Sequence, residues 1–255
     1  MTALVICPTY GRLPYLGRVL AGFLRQTYQN KHLVFINDDQ YVTLKCSYDD
    51  VTCINMRDRM LLPHKRNLGI AYKEFDVIFS HDDDDIFLPN RIANHIRKYI
   101  ENPGINLYRN GASYVTYDEQ FYDIAYKTPN DVSFLKKAWY EVGGYSLQSS
   151  RGDDDDLYSR IDKKLVEFDR TNMDFVYNIS GINYHLSSGD SDALIERVAY
   201  EQRIEMNIHN KPFNIEPDIE EYNKFIRMTV EYQVTGYPVC FKHYDTHRIE
   251  ICSTP

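Results

Sequence analysis

The chain reads as an α/β protein: a mainly parallel sheet flanked by helices, with a helical or irregular C-terminal extension. Three observations predict this. In the first half, short continuous apolar runs alternate with segments whose apolar residues recur at helical spacing. The runs are continuous rather than alternating, the mark of strands buried on both faces. The length of 255 residues suits one large domain, or a domain with an appendage, and can bury a substantial core.

The first strand is Leu4-Val5-Ile6-Cys7, broken by Pro8 and Gly11. Leu13, Leu16, Leu20, Phe23 and Leu24 then line one face of a helix. Lys31 to Asn37 is a second buried strand and Val51 to Ile54 a short third. Pro63 to Phe75 reads as a helix, and Asp76 to Ser80 as another buried strand. Pro89 suits the first turn of a further helix, whose apolar face is Ile92, Ile96, Tyr99 and Ile100 and which Pro103-Gly104 ends. Residues 105–128 read as mixed strands. Asp131 to Gly144 reads as a strand turning into a short helix closed by glycines. Asp154 to Phe168 has the spacing of a helix through Leu157, Ile161, Leu165 and Phe168; Met173 to Tyr184 is strand-like and Ser191 to Met206 helical. Residues 1–190 form the expected main domain, and 191–255 an extension packed on it.

Composition is that of an ordinary soluble globular protein, with 43% hydrophobic and 26% charged residues. The formal charge of −8 counts against a protein that coats nucleic acid or anionic membrane. The five cysteines are odd in number and form no C-x-x-C pair, which points to reduced thiols rather than a disulfide frame or zinc site. The N-terminal apolar stretch is too short for a signal peptide, and no apolar run is long enough to span a bilayer. The expected location is therefore the cytoplasm, or the host cytoplasm for a viral protein. Asn178-Ile179-Ser180 matches a glycosylation sequon, read as chance in that setting.

Two runs carry chemistry. SHDDDDIFL spans 80–88 and RGDDDDLYS spans 151–159. Taken blind, an acidic run is a solvated loop. The first of these follows a buried strand, and ligands in such sheets bind beyond the carboxyl ends of the strands. Pro8-Thr9-Tyr10 and Asn37-Asp38-Asp39 stand at two other strand ends, so three polar clusters should gather along one edge. Crowded carboxylates need a compensating cation. Hard oxygen ligands suit Mg²⁺ or Mn²⁺, whose coordination is usually completed by substrate phosphates. Neither G-x-x-x-x-G-K-[ST] nor G-x-G-x-x-G occurs, so phosphate would be held by metal and side chains.

PTYGR at 8–12, INDDQ at 36–40, HKRNLGIA at 64–71, DDDDIFLPNRI at 82–92, AWYEVGGYSLQSSRGDDDDLYSRI at 138–161 and Tyr184-His185 stand in order over about residues 3–190. Together they resemble an inverting glycosyltransferase of the GT-A (Rossmann-like) type, family 2. The resemblance implies a nucleotide-diphosphate sugar donor and a Mn²⁺ or Mg²⁺ cofactor. It places Pro8, Thr9, Tyr10 and Arg12 in the nucleotide pocket. Asp38 or Asp39 would meet the base or ribose, and Arg66 the base edge or phosphates. In the D-x-D register, Asp82 touches the ribose or metal-bound water and Asp84 ligates the metal. A run of four also allows a slip that would involve Asp83 and Asp85. His185 is the late metal-ligand histidine. Asp154 aligns with the catalytic base, although the usual preceding Glu is Asp153 here. Trp139, Tyr140 and Asp153 would form the acceptor wall. The two runs would then face each other across one sugar.

Blander readings stand beside these. His185 and Trp139 also suit a core, Arg66 a solvated helix face, and most of the 22 tyrosines structure. A nucleotidyltransferase or other metal-dependent phosphoryl-transfer enzyme also clusters aspartates. It would want more cations near them than Arg66, Arg91 and Arg151. A non-catalytic nucleotide-sugar-binding module is the third reading, against which the intact Asp154 position argues. Acceptors open to such an enzyme are a glycan, a lipid-linked sugar, a protein or, against the acidic balance, a modified DNA base. The extension would shape the acceptor site or a homodimer contact.

Overall fold

The computed structural model describes residues 1–10, 13–39, 42–117, 120–125, 130–147, 152–179, 231–234, 239–243 and 249–253. The chain runs β1 (Ala3–Thr9), α1 (Leu13–Leu24), β2 (Lys31–Asn37), β3 (Val42–Lys45), β4 (Val51–Asn55), α2 (Leu62–Ala71), β5 (Val77–Ser80), β6 (Ile86–Phe87) and α3 (Arg91–Glu101). Then come β7 (Leu107–Asn110), β8 (Ala112–Tyr117), β9 (Gln120–Ala125), β10 (Val132–Leu135), α4 (Lys136–Glu141), α5 (Asp153–Arg160), β11 (Lys164–Glu167) and β12 (Phe175–Ile179). Three C-terminal strands follow: β13 (Glu231–Val234), β14 (Val239–His243) and β15 (Ile249–Ser253).

Seven strands form the main sheet in the order β11-β7-β10-β5-β1-β2-β4. β1 runs parallel to β2 and β5, β2 to β4, and β7 to β11. Only β10 is antiparallel to its neighbours β5 and β7. Side chains alternate across a strand, so the continuous apolar runs build two cores. Val5, Cys7, Leu33, Phe35, Val77 and Phe79 pack under α1 and α3. Leu4, Ile6, Val34, Ile36, Ile78 and Phe134 pack under α2, α4 and α5. Each fully buried Val, Leu, Ile or Phe stabilises by about 1.5–3 kcal/mol relative to exposure. A second sheet, β6-β12-β8-β9, stands beside the first. β13 pairs antiparallel with β3, and β14 with β15. No helix among the described residues is long and apolar enough to cross a membrane.

Several boundaries differ from expectation. The helix expected over 154–168 stops at Arg160, and Ile161 is already extended. Lys163 takes a left-handed turn at φ 55, and Lys164–Glu167 joins the sheet beside β7. The helical spacing of Leu165 and Phe168 is incidental: Leu165 is half-buried on an edge strand and Phe168 is 55% exposed. α2 ends at Ala71, short of Phe75. Pro89 precedes α3 rather than opening it, and its carbonyl accepts from the Thr27 amide. The short β3 and β6 carry too few residues for a period to register. The helix expected at 191–206 lies outside the described residues.

Candidate active site

The parallel strands β1, β2 and β5 deliver Pro8-Thr9-Tyr10, Asn37-Asp38-Asp39 and the first aspartate run to one edge of the sheet. That run turns tightly: the Asp85 amide donates to the Asp82 carbonyl (3.2 Å). Thr9 Oγ1 donates to Asp83 Oδ2 (2.7 Å), fastening the run to the end of β1.

α2 supplies two buried cations. Lys65 Nζ donates to Asp38 Oδ1 (2.7 Å) and to the Thr9 carbonyl (3.2 Å). The other Asp38 oxygen accepts the Met60 amide (2.8 Å), and its side chain is fully buried. The Asp38 carboxylate is thus engaged by Lys65 and by the Met60 amide. Asp83, buried and bonded to Thr9, is likewise turned to the strand end. Tyr10 is half-buried, and the Arg59 guanidinium lies 3.9 Å from its ring centroid.

Arg66 joins the two runs. Its Nη2 donates to Asp82 Oδ1 (3.1 Å), while Nη1 meets Asp153 Oδ2 (2.7 Å) and Asp154 Oδ2 (2.6 Å). The guanidinium is 1% exposed, against 35% for the Asp82 side chain and 12% for Asp154. A buried guanidinium needs such partners. Three acidic side chains thus converge on one cation from segments far apart in sequence.

The second run opens α5. Gly152 caps it in the left-handed conformation (φ 70), which places Asp153 and Asp154 in the first turn, at the positive end of the helix dipole. The hydroxyls of Tyr145 and Tyr158 both donate to Asp154 Oδ1 (3.2 and 3.3 Å). Burial pushes the Asp154 carboxyl up to about 7; Arg66 opposes the rise, and Asp153 and Asp82 add to it. Asp153 is raised too, first by burial, with Arg66 opposing and Asp82 adding. A carboxyl so placed exchanges a proton near neutral pH.

Behind the first run lies His81, stacked on Phe87 at 3.8 Å. Burial pushes it down to about 3. It is therefore neutral, and its Nδ1 must carry the proton given to the Asp82 carbonyl (2.7 Å). On β1, burial raises the Cys7 thiol, and the charges of Asp83, Asp82 and Asp84 add to the rise. The field of the run thus reaches into the sheet. This all-oxygen set of carboxylates fits a hard divalent cation, which Asp82 and Asp84 would hold. Deeper still, His95, Asp131 and Asp174 bring ligand atoms within 4.8 Å of one another, a spacing that can hold a metal ion. The Arg91 guanidinium already meets both carboxylates there, at 2.6 and 3.1 Å.

Two of the residues expected at the acceptor wall differ in exposure. Tyr140 is 57% exposed, whereas Trp139 is buried in the core. The Trp139 indole donates to Asn67 Oδ1 (3.0 Å), which also accepts the Tyr145 amide. Trp139 thus braces the glycine turn before α5. Arg12 and His185 lie outside the described residues. Lys65, Asn130, Tyr145 and Tyr158 were not anticipated. HKR at 64–66 was a usable signal for Lys65. Asn130 and the two tyrosines carry none, because their roles arise only from long-range packing.

A mainly parallel mixed sheet flanked by helices, with an acidic run at a central strand end and a second at the start of a helix, is a GT-A-type fold. Residues 4–168 match the family described as glycosyl transferase family 2. The chain belongs to that family. A curated relative, an uncharacterized glycosyltransferase YwdF from Bacillus subtilis, is 28% identical over 120 residues, covering 46% of this chain and 44% of that one. The chain spans less than half the length of the curated relatives it matches. In fold it resembles S. aureus TarS 1-349 in complex with UDP-GlcNAc: TM-score 0.57, 12% identity, 89% of this chain and 72% of that one. It also resembles the mannosyltransferase PcManGT from Pyrobaculum calidifontis in complex with GDP-Man and Mn²⁺: TM-score 0.56, 14% identity, 88% of this chain and 71% of that one.

Proposed function

We propose that the protein is a metal-dependent glycosyltransferase that moves one sugar from a nucleotide-diphosphate sugar to an acceptor hydroxyl with inversion, using Asp154 as the base. The observation that carries this is the Arg66 bridge, which holds Asp82 of one run and Asp153 and Asp154 of the other in a single site. Isolated solvated turns would not share a buried cation. Fold neighbours bound to UDP-GlcNAc and to GDP-Man with Mn²⁺ support the donor class.

In this reading Pro8, Thr9, Tyr10, Arg12, Asp38 or Asp39, Arg66 and Asp83 orient the nucleotide. Asp82 and Asp84, together with His185, would hold the cation. Bound Mn²⁺ or Mg²⁺ would supply positive charge for the departing diphosphate. The acceptor hydroxyl attacks the anomeric carbon opposite the leaving group. The new C–O bond forms as the C–O bond to phosphate breaks, and the nucleotide diphosphate leaves with the electron pair. Asp154 takes the hydroxyl proton, while Tyr145 and Tyr158 hold its other oxygen. Asp153 and Tyr140 line the acceptor side. Residues 191–255 belong to an extension on the main domain, which the pairing of β13 with β3 supports. A cytoplasmic setting accompanies this reading.

The test is thermal stability against UDP, GDP and their sugars with Mn²⁺, Mg²⁺ or EDTA, since a ligand of the folded state raises Tm. A metal-dependent rise with one nucleotide is expected, followed by sugar transfer in an acceptor screen. No rise with any nucleotide under any metal overturns the reading.

A further inference from the structure

Asn130, just before β10, is 1% exposed, and its side chain faces the first aspartate run. Its Nδ2 donates to Asp82 Oδ2 (2.7 Å) and to Asp85 Oδ2 (3.1 Å). Both neighbours accept only, so the NH₂ side of the amide must face them. Asn130 Oδ1 is buried without a hydrogen-bond partner among the described residues. The amide is thus held by its donor side, and it ties together the first and fourth aspartates of the run.

The backbone of Asn130 is pinned as well. Its carbonyl accepts from Arg91 Nη2 (2.7 Å), and Arg91 Nη1 meets Asp131 and Asp174. The Arg91 guanidinium lies 4.4 Å from the Phe87 ring centroid and 4.8 Å from that of Phe175. Asn130 is what this buried ionic assembly extends toward the run. The His95–Asp131–Asp174 cluster is accordingly a strut, with Arg91 as its cation.

We propose that Asn130 is a positioning residue for the first aspartate run: its amide fixes the spread of the Asp82 and Asp85 carboxylates and thereby presents Asp82 to the divalent cation of a bound nucleotide diphosphate. The inference rests on the metal–diphosphate reading of that run. An outer partner that orients a ligating carboxylate typically changes metal affinity by about 10–100-fold when removed.

The experiment measures free Mn²⁺ by its paramagnetic resonance signal during titration of the full chain with Mn²⁺, with UDP or GDP present. Wild type, Asn130→Ala and Asp84→Ala are compared, alongside nucleotide binding in EDTA and the Tm of each ligand-free protein. Mn²⁺ affinity at least about tenfold weaker in Asn130→Ala, with nucleotide binding in EDTA unchanged, is expected. A merely structural role would lower Tm and weaken both affinities together. Wild-type Mn²⁺ affinity in Asn130→Ala, beside its loss in Asp84→Ala, overturns the positioning role while leaving the site reading intact. If wild type binds Mn²⁺ with neither nucleotide, the site reading falls and the proposal with it. Asn130→Ser keeps one donor but cannot span both carboxylates. It replaces the alanine variant if that one does not fold, and is read in the same way.

Discussion

Arg66 decides the character of the site. With its guanidinium buried against three carboxylates, replacing it by Met leaves uncompensated charge. The expected cost is about 3–5 kcal/mol in chemical denaturation, together with loss of nucleotide binding. On the proposed reading, Asp154→Asn removes the base. Transfer should fall by about 10²–10⁴-fold in a donor-turnover assay while the fold persists; near-wild-type transfer would sink the assignment. Because burial raises the Asp154 carboxyl to about 7, wild-type transfer should climb as pH rises through about 7, when the carboxylate forms. Its effect on stability has the opposite sign. The folded state binds this proton more tightly than the unfolded chain, whose Asp titrates near ~3.9. The stabilising contribution is therefore full below that pH and lost as pH rises through about 7. A Tm–pH series on wild type and Asp154→Asn measures it. The sequence marked Arg66 and Asp154 through their motifs. The bridge between them was not legible, because partners so far apart in the sequence are set by packing.

At the level of elements, the approach of helices to sheet is governed by small residues. Gly69 lets α2 lie on β1 and β2. A Cβ there would stand 2.8 Å from Ile36 Cδ1 and 3.1 Å from Ile6 Cγ2. Gly69→Ala should destabilise by about 1–3 kcal/mol through overpacking, read from the urea midpoint. Gly144 holds φ +77, and a Cβ would meet Asn67 Oδ1 at 2.9 Å. Its carbonyl accepts from Arg160 Nη2 (2.7 Å), which ties the glycine turn to the end of α5. The long strands β1 and β2 and the helices α1 and α3 were plain from apolar pattern. The end of α5 was not. Leu165 and Phe168 keep helical spacing, yet Lys163 turns and the chain gains a place beside β7, so the sheet edge prevails over local period.

Over the whole molecule, the mainly parallel order of β5, β1, β2 and β4 follows from strand–helix alternation. The antiparallel insertion of β10 does not. That insertion carries Asn130 and Asp131 to the back of the first run, which is why the strut behind the site could not be foreseen from motifs. Metal removal is the test at this scale. On the proposed reading, the Tm rise produced by a nucleotide diphosphate with Mn²⁺ should shrink in EDTA to the smaller rise of the nucleotide bound without its cation, because a cation that joins the folded complex adds to the stabilisation. An equal rise in EDTA would show that the nucleotide is held without metal.

The position of Arg66 along the chain also bears on how the protein is made. Translation delivers the cation before either acidic run, and delivers the second run only after β10 and α4. A nascent chain that has emerged through residue 145 holds Arg66 and Asp82 but neither Asp153 nor Asp154. One domain then waits for its last ionic partners, since domains generally fold as units. Ribosome-stalled chains ending before and after α5 should differ in protease resistance, with protection of α2 arriving only in the longer one. Equal protection would mean that the sheet matures without the second run.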